Sequence, residues 1–143
     1  MTIANVTTRQ GNGSVDCGGA QLRAHCRHLA TVLTVRGEID AVNVDRVSED
    51  IRRFIVGNHP VVLDISEVSQ FATAGISLLY SLDEDCRAAG VEWTLVASPA
   101  VFEYLGDGAM FPVARSVHEA LRNLADAIVR RRQLVLPLIK KSA

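Results

Sequence analysis

The chain has 143 residues, of which 48% are hydrophobic and 22% are charged, and its formal net charge at pH 7 is -1. This length suits one globular domain with a sizeable core, and the composition is ordinary for such a domain. The near-neutral charge argues against a general nucleic-acid-binding or membrane-surface protein, because both classes usually carry a clear basic excess.

The N-terminal segment is polar and rich in glycine, which predicts a flexible arm over residues 1–19 with a short strand at its end. It contains no apolar segment of the kind that a secretory signal requires. No run in the chain approaches the roughly 20 apolar residues of a membrane-spanning helix. We therefore expect a cytoplasmic protein without a membrane span.

The segments 22–27 and 30–39 fit two strands, the second of them rich in β-branched residues, and the short turn between them predicts an antiparallel hairpin. Asp40 then stands at the expected N-cap of a helix, because apolar residues recur at helical spacing over residues 44–55. Glycine and proline in the segment 57–60 are expected to end that helix.

Strands and helices alternate in the rest of the chain. The predicted elements are a buried strand at 61–65, a helix at 74–89 ended by Gly90, a strand at 93–97, a short helix opened by Ser98 and Pro99, a strand at 111–114, and a last helix opened by a capping box of Ser116 and Glu119. This alternation predicts an α/β fold with a mixed, mostly parallel β-sheet packed against about four α-helices.

The domain is expected to span residues 20–132, followed by a C-terminal tail at 133–143. A basic cluster, Arg130–Arg132, precedes an apolar stretch at 134–139. Such a tail could contact a membrane, a nucleic acid or a second copy of the chain. We favour packing of the apolar part against the domain, with the basic residues solvated at a helix C-terminus, and a homodimer formed through the tail is the next alternative. No direct binding of nucleic acid is expected.

Cysteine and histidine spacing gives no sign of a disulfide framework or a metal site. Cys17, Cys26 and Cys86 are odd in number and lack a C-x-x-C pair, which favours free thiols. The four histidines have no metal-ligand spacing. The glycine-rich signatures of nucleotide-binding loops and the G-x-S-x-G of hydrolases are missing, so no cofactor is predicted.

Several short motifs resemble, in order and spacing, those of the STAS domain family, which has the fold of the anti-sigma factor antagonists. Residues 36–40 (RGEID) resemble the RGELD segment at the second strand, and residues 62–65 resemble the central strand. Residues 71–76 lie where the family carries Asp-Ser-Ser-Gly or Asp-Ser-Thr-Gly, and residues 89–101 resemble the later segment. The resemblance covers about residues 20–128 and implies the STAS fold.

The resemblance implies a regulatory binding protein and not an enzyme. Members of the family bind an anti-sigma factor that is also a serine/threonine kinase. This kinase phosphorylates the Ser or Thr of the loop, the complex dissociates, and a phosphatase resets the system. The expected partners are therefore an anti-sigma factor of the kinase type and a phosphatase, with no cofactor.

Aligned on this motif, Thr73 falls on the phosphorylated position and Gly75 matches, whereas Ala72 replaces the Asp and Ala74 replaces the second Ser or Thr. Thr73 is thus the candidate phosphorylation site, and the alternative for it is an ordinary helix cap. The loss of two polar neighbours leaves open a second function: a STAS scaffold that binds in a signalling or transport complex without being phosphorylated.

The family places the end of its second strand close to the phosphorylation loop. The resemblance therefore implies one partner-binding face composed of Glu38, Asp40, Phe71, Ala72, Thr73, Ala74 and Gly75. An acid–base pair of Glu38 and Asp40 would need a pocket and a facing partner, and the sequence indicates neither. We therefore favour a helix cap for Asp40 and a solvated strand end for Glu38 over catalysis.

Overall fold

The computed structural model describes residues 13–27, 29–55, 59–105 and 110–142, with only the backbone given for residues 100, 104 and 132–142. The described strands are β1 (Gly13–Asp16), β2 (Ala20–Cys26), β3 (Thr31–Ile39), β4 (Val61–Phe71), β5 (Trp93–Val96) and β6 (Val113–Ala114). The described helices are α1 (Val44–Arg53), α2 (Thr73–Ala89), α3 (Pro99–Leu105) and α4 (Val117–Ser142).

The six strands form one sheet in the order β1-β2-β3-β4-β5-β6. The first three are antiparallel, because short connections join them, and β3 to β6 are parallel, because a helix separates each pair. The predicted mixed, mostly parallel sheet with four helices is therefore confirmed, and β1 is the short strand expected at the end of the N-terminal arm.

The sheet is covered on both faces, which explains the apolar run at the start of β4. Val61, Leu63 and Ile65 belong to the larger core, which also holds buried residues of α1, α2 and α3. Val62, with its side chain on the opposite face, packs with Ala120 and Leu124 of α4. Because successive side chains of a strand point to opposite faces, a strand buried on both sides has no polar alternation.

Several predicted helix ends are confirmed. Gly90 ends α2 in the left-handed conformation, with φ of 71°. The Oγ of Ser98 accepts a hydrogen bond from the N–H of Val101 at 3.3 Å, and the Oγ of Ser116 accepts one from the N–H of Glu119 at 3.0 Å. The Glu119 carboxylate reaches back to the N–H of Arg115, one residue before the position that a capping box requires.

Asp40 as the N-cap of α1 was a wrong prediction. Asn43 precedes the first helical residue, Val44, and Asp40 lies three residues earlier. The carboxylate of Asp40 accepts hydrogen bonds from the N–H groups of Val42 and Asn43 at 2.9 and 3.1 Å, so it closes a turn before the helix. A short acidic side chain that accepts hydrogen bonds from nearby backbone N–H groups is typical of turns as well as of helix caps, and the sequence pattern does not distinguish the two.

The strand predicted at 61–65 is longer than expected and continues to Phe71. Beyond Asp64 it pairs with β3 alone, since the pairing with β5 ends at Val96. With one neighbouring strand, residues 66–71 of β4 are mostly exposed, and among them only Val68 and Phe71 are half-buried. An exposed strand end carries polar residues, which resemble a loop in the sequence.

The helix α4 runs to Ser142 and so passes through the predicted tail at 133–143. The limits proposed for the domain, at residues 20 and 132, stay predictions. Among the helices that the structure describes, none combines the length and the apolar character that a bilayer crossing requires.

Candidate partner-binding site

The ends of β3 and β4 bring the predicted site residues to one edge of the sheet. In the parallel register Glu38 stands opposite Gln70 and Ile39 opposite Phe71. The pairing continues one step further, because the N–H of Ala72 donates to the carbonyl of Ile39 at 3.0 Å. Residues 38 and 40 and residues 71–75 therefore lie side by side, as carboxyl ends of adjacent parallel strands must.

Thr73 is the first residue of α2, and its side chain is exposed. Ala72 occupies the N-cap with an extended backbone and offers no side-chain acceptor, and the first turn holds no acidic residue. The interpretation of Thr73 as the helix cap is therefore wrong. At this terminus, which we call the α2 start (residues 72–75), the first N–H groups of the helix have no side-chain cap.

Gly75 allows the α2 start to approach β4 closely. A Cβ built on Gly75 would lie 2.4 Å from Cε1 of Phe71, far below any normal contact distance. The half-buried ring of Phe71 thus lies directly against the glycine, and helix and strand approach closely here. Phe71 and Gly75 shape the surface, and Thr73 projects from it.

Glu38 follows a backbone position that only glycine suits. Gly37 has φ of 100°, and a Cβ there would lie 2.4 Å from the carbonyl oxygen of Gly19. The N–H of Glu38 donates to that same oxygen at 2.9 Å. Glu38 is half-buried at the end of β3, and the neighbouring Asp40 carboxylate is occupied by backbone N–H groups. Asp40 therefore stabilises the backbone of the turn that follows β3.

Asn43 holds this region together, and sequence analysis missed it. Its buried amide nitrogen donates to the carbonyls of Gly18 and Glu38 at 3.0 and 2.8 Å, and its Oδ1 accepts from the N–H of Asp40 at 3.0 Å. The segment 40–43, which we call the β3–α1 turn, is thereby tied to the β1–β2 connection. The Asp-x-x-Asn spacing before a helical run was the available signal, but it does not reveal the distant partner.

A buried thiol–carboxylate pair lies beside this turn. The Sγ of Cys17 donates to Oδ2 of Asp50 at 3.1 Å. Burial, reinforced by the hydrogen bond and charge of Asp50, raises the pKa of Cys17 to about 12, so the thiol keeps its proton. Cys17, Cys26 and Cys86 are not joined in disulfides within the described residues. In the part of the chain that the structure describes, no three potential ligands cluster in a way that could hold a metal ion.

A groove between α1 and α2 begins beside the site. Its volume is about 510 Å³, and Val44 and Ala74 form its end near the β3–α1 turn and the α2 start. Its other lining residues are Asp45, Ser48, Glu49, Arg52, Ser77, Leu78 and Ser81. Arg52 is bound to Asp85 at 2.7 Å and to Ser81 at 3.2 Å, so its charge is already compensated. The groove therefore presents small hydroxyls and the carboxylates of Asp45 and Glu49.

The chain is 66% identical over 149 residues to osmosensory protein A of Mycobacterium tuberculosis (strain ATCC 25618 / H37Rv), with 99% of this chain and 94% of the relative covered.

Solved structures of anti-sigma factor antagonists share the fold. One from Mycobacterium paratuberculosis has a TM-score of 0.66 at 22% identity and covers 74% of this chain and 94% of its own. The antagonist SpoIIAA in its unphosphorylated form has a TM-score of 0.56 at 18% identity and covers 73% of this chain and 96% of its own. At these identities the likeness shows the fold alone. The model of the STAS domain matches residues 21–123, and the chain therefore belongs to the STAS domain family.

Proposed function

We propose that this chain is an anti-sigma factor antagonist, which binds an anti-sigma factor of the serine/threonine kinase type and is released when Thr73 is phosphorylated. The exposed Thr73 hydroxyl at the first position of α2 carries the proposal. The fold shared with solved antagonists supports it. The partner-binding face is the edge formed by Glu38, Asp40 and residues 71–75, and the protein acts in the cytoplasm by binding and not by catalysis.

The site suits a switch because the fold tolerates the modification better than an interface does. A phosphate adds about -1.5 to -2 charges at neutral pH. Free N–H groups and the dipole at a helix N-terminus favour an anion, so α2 accepts the group without unfolding. In a packed interface, however, the same charge must be desolvated or repelled, which lowers the affinity for the partner. A phosphatase then restores the binding form.

The first experiment identifies the partner and tests the switch together. The full chain is immobilised on a resin and incubated with cytosol from its source organism, with and without ATP. The retained proteins are identified by mass spectrometry. The purified kinase is then mixed with the chain and ATP, and the phosphorylated residue is mapped. We expect phosphate on Thr73 and loss of binding in Thr73→Glu.

Ser14→Glu is the matched control, since Ser14 is also exposed but lies on the edge strand β1, away from the site. It should bind as the wild type does. An unmodified Thr73, together with unchanged binding by Thr73→Glu, would contradict the switch.

A second function, a STAS scaffold without the switch, is favoured by Ala72 and Ala74, which lack the polar groups of the usual motif. It predicts a stable complex that is indifferent to ATP and to Thr73→Ala.

The name of the 66%-identical relative supports osmotic stress as the input signal. If this holds, the fraction of Thr73 phosphorylated in cells changes after a rise in external osmolarity. Quantitative mass spectrometry before and after the rise measures it, and an unchanged fraction would contradict this input.

A further inference from the structure

Val42 is a hydrophobic residue that lies outside the core and is exposed to solvent. It is 92% exposed, more than the other large hydrophobic residues of the described chain that stand in solvent, Met110, Val129 and Tyr80. It lies in the β3–α1 turn, where its N–H is bound to Asp40 but its side chain packs on nothing.

The turn holds Val42 in one place. The Asp40 carboxylate accepts from two successive N–H groups, and the buried Asn43 amide binds three backbone atoms of the surrounding segments. In addition, the carbonyl of Asp40 accepts from the N–H of Val44, the first residue of α1. A side chain presented by such a rigid segment loses little conformational freedom on binding, which favours affinity.

The position of Val42 links it to the proposed partner-binding face. The turn directly follows Ile39, whose carbonyl binds Ala72, and it directly precedes Val44, which shares the groove with Ala74. Val42 therefore stands at the junction of β3, α1 and the α2 start. This is the edge that Thr73 occupies.

The groove that begins at this junction is lined by acidic side chains. In the described residues neither Asp45 nor Glu49 takes part in a salt bridge, although both line the groove. The cation on the same wall, Arg52, is bound to Asp85. Arg46 lies near the turn, because its Nη1 would be 3.7 Å from a Cβ on Gly18, whose carbonyl Asn43 binds, but Arg46 does not line the groove. A complementary surface must therefore be basic around an apolar contact.

We propose that Val42 is the apolar anchor by which this chain docks onto its protein partner, and that the partner presents an apolar pocket bordered by Lys or Arg side chains. This inference rests on the proposed function, because the partner is the kinase named there. Burial of two methyl groups in such a pocket makes Val42→Ala about tenfold weaker in binding.

The test uses the kinase recovered by the experiment above, purified and titrated without ATP so that Thr73 stays unmodified. We expect Val42→Ala and the isosteric Val42→Thr to raise the Kd about tenfold, whereas Val42→Ile binds as well as the wild type. All three should keep the thermal unfolding midpoint, since the side chain packs on nothing. Val129→Ala is the control, because Val129 is half exposed on α4, across the sheet.

Charge-reversal variants of this chain test whether basic side chains border the partner's pocket. Asp45→Lys combined with Glu49→Lys should slow association, and added NaCl should slow association of the wild type. Glu84→Lys, on an exposed position of α2 outside the groove lining, is the control and should associate at the wild-type rate.

The outcomes separate this inference from the proposed function. Wild-type affinity in both Val42→Ala and Val42→Thr overturns the anchor, while loss of binding in Thr73→Glu still supports the switch. Dimerisation of the chain that Val42→Ala abolishes, with an unchanged Kd for the kinase, assigns the valine to a contact between copies and also overturns it. If the wild-type chain binds no kinase at all, both proposals fail.

Discussion

The β3–α1 turn and the α2 start lie side by side at one edge of the sheet, but they are held in opposite ways. Asp40 and Asn43 fix the turn by side-chain hydrogen bonds that reach from β3 to the β1–β2 connection. The α2 start has an alanine at its N-cap and no side-chain cap. A rigid segment suits the presentation of a contact, whereas an uncapped helix end leaves room for an added anion.

The largest effect is expected from breaking the fixed segment. Asn43→Ala leaves the carbonyls of Gly18 and Glu38 and the N–H of Asp40 without their partner in a buried place. We expect a loss of about 2 to 3 kcal/mol in the free energy of unfolding, measured in urea. Thr73→Ala, at the exposed α2 start, should cost less than about 0.5 kcal/mol. Equal costs for the two variants would remove the distinction between the regions.

A smaller effect is expected where the α2 start meets β4. Gly75→Ala places a methyl group against the ring of Phe71, 2.4 Å from Cε1, and the ring must move. We expect a loss of about 1 to 2 kcal/mol in the free energy of unfolding. In the background of Phe71→Ala the same substitution should cost much less, so a double-mutant cycle measures the contact. Additive costs would show that the ring and the glycine do not constrain each other.

Beside the fixed segment, the buried thiol of Cys17 predicts a dependence of stability on alkaline pH. Its pKa is raised from 9.0 to about 12, because burial disfavours the thiolate. The unfolded chain releases this proton near pH 9 while the folded chain keeps it, so stability is complete below pH 9 and falls between pH 9 and about 12.

Cys17→Ser should remove about 1 kcal/mol of this fall per pH unit, measured by urea unfolding at several pH values. Cys86, whose pKa burial raises to about 11, contributes in the same direction and stays in both proteins. An identical slope in Cys17→Ser would mean that the thiol ionises normally in the folded state.

The smallest effect concerns the anion-accepting end of α2. Thr73→Glu should raise the free energy of unfolding by about 0.3 to 1 kcal/mol relative to the neutral Thr73→Gln, because the first turn holds no other acid. Molar NaCl should remove the difference. A destabilising Thr73→Glu would contradict the view that the fold accepts a phosphate there.

Much of the fold could be predicted because its signals are local. The continuous apolar run of β4 indicates a strand buried on both faces, and Ser98, Ser116 and Gly90 mark helix ends through groups three or four residues away. The motif at 71–76 lies within residues 21–123, which the model of the STAS domain matches.

Other features could not be read from neighbouring residues. The extension of β4 to Phe71 follows from its pairing with β3, which does not alter the polar composition of residues 66–70. The exposure of Val42 is equally invisible, because a valine before a helical run is usually part of its apolar face.

By itself, the sequence determined the order of the elements, the class of the fold and the position of the Thr73 hydroxyl, since periodicity, caps and a short motif act within a few residues. Only the tertiary structure decided what surrounds that hydroxyl. Asn43 bonds to Gly18, 25 residues away, and Cys17 to Asp50, 33 residues away, so these contacts exist only after the chain has closed. The rigid turn, its exposed valine and the uncapped helix beside it are consequences of that closure.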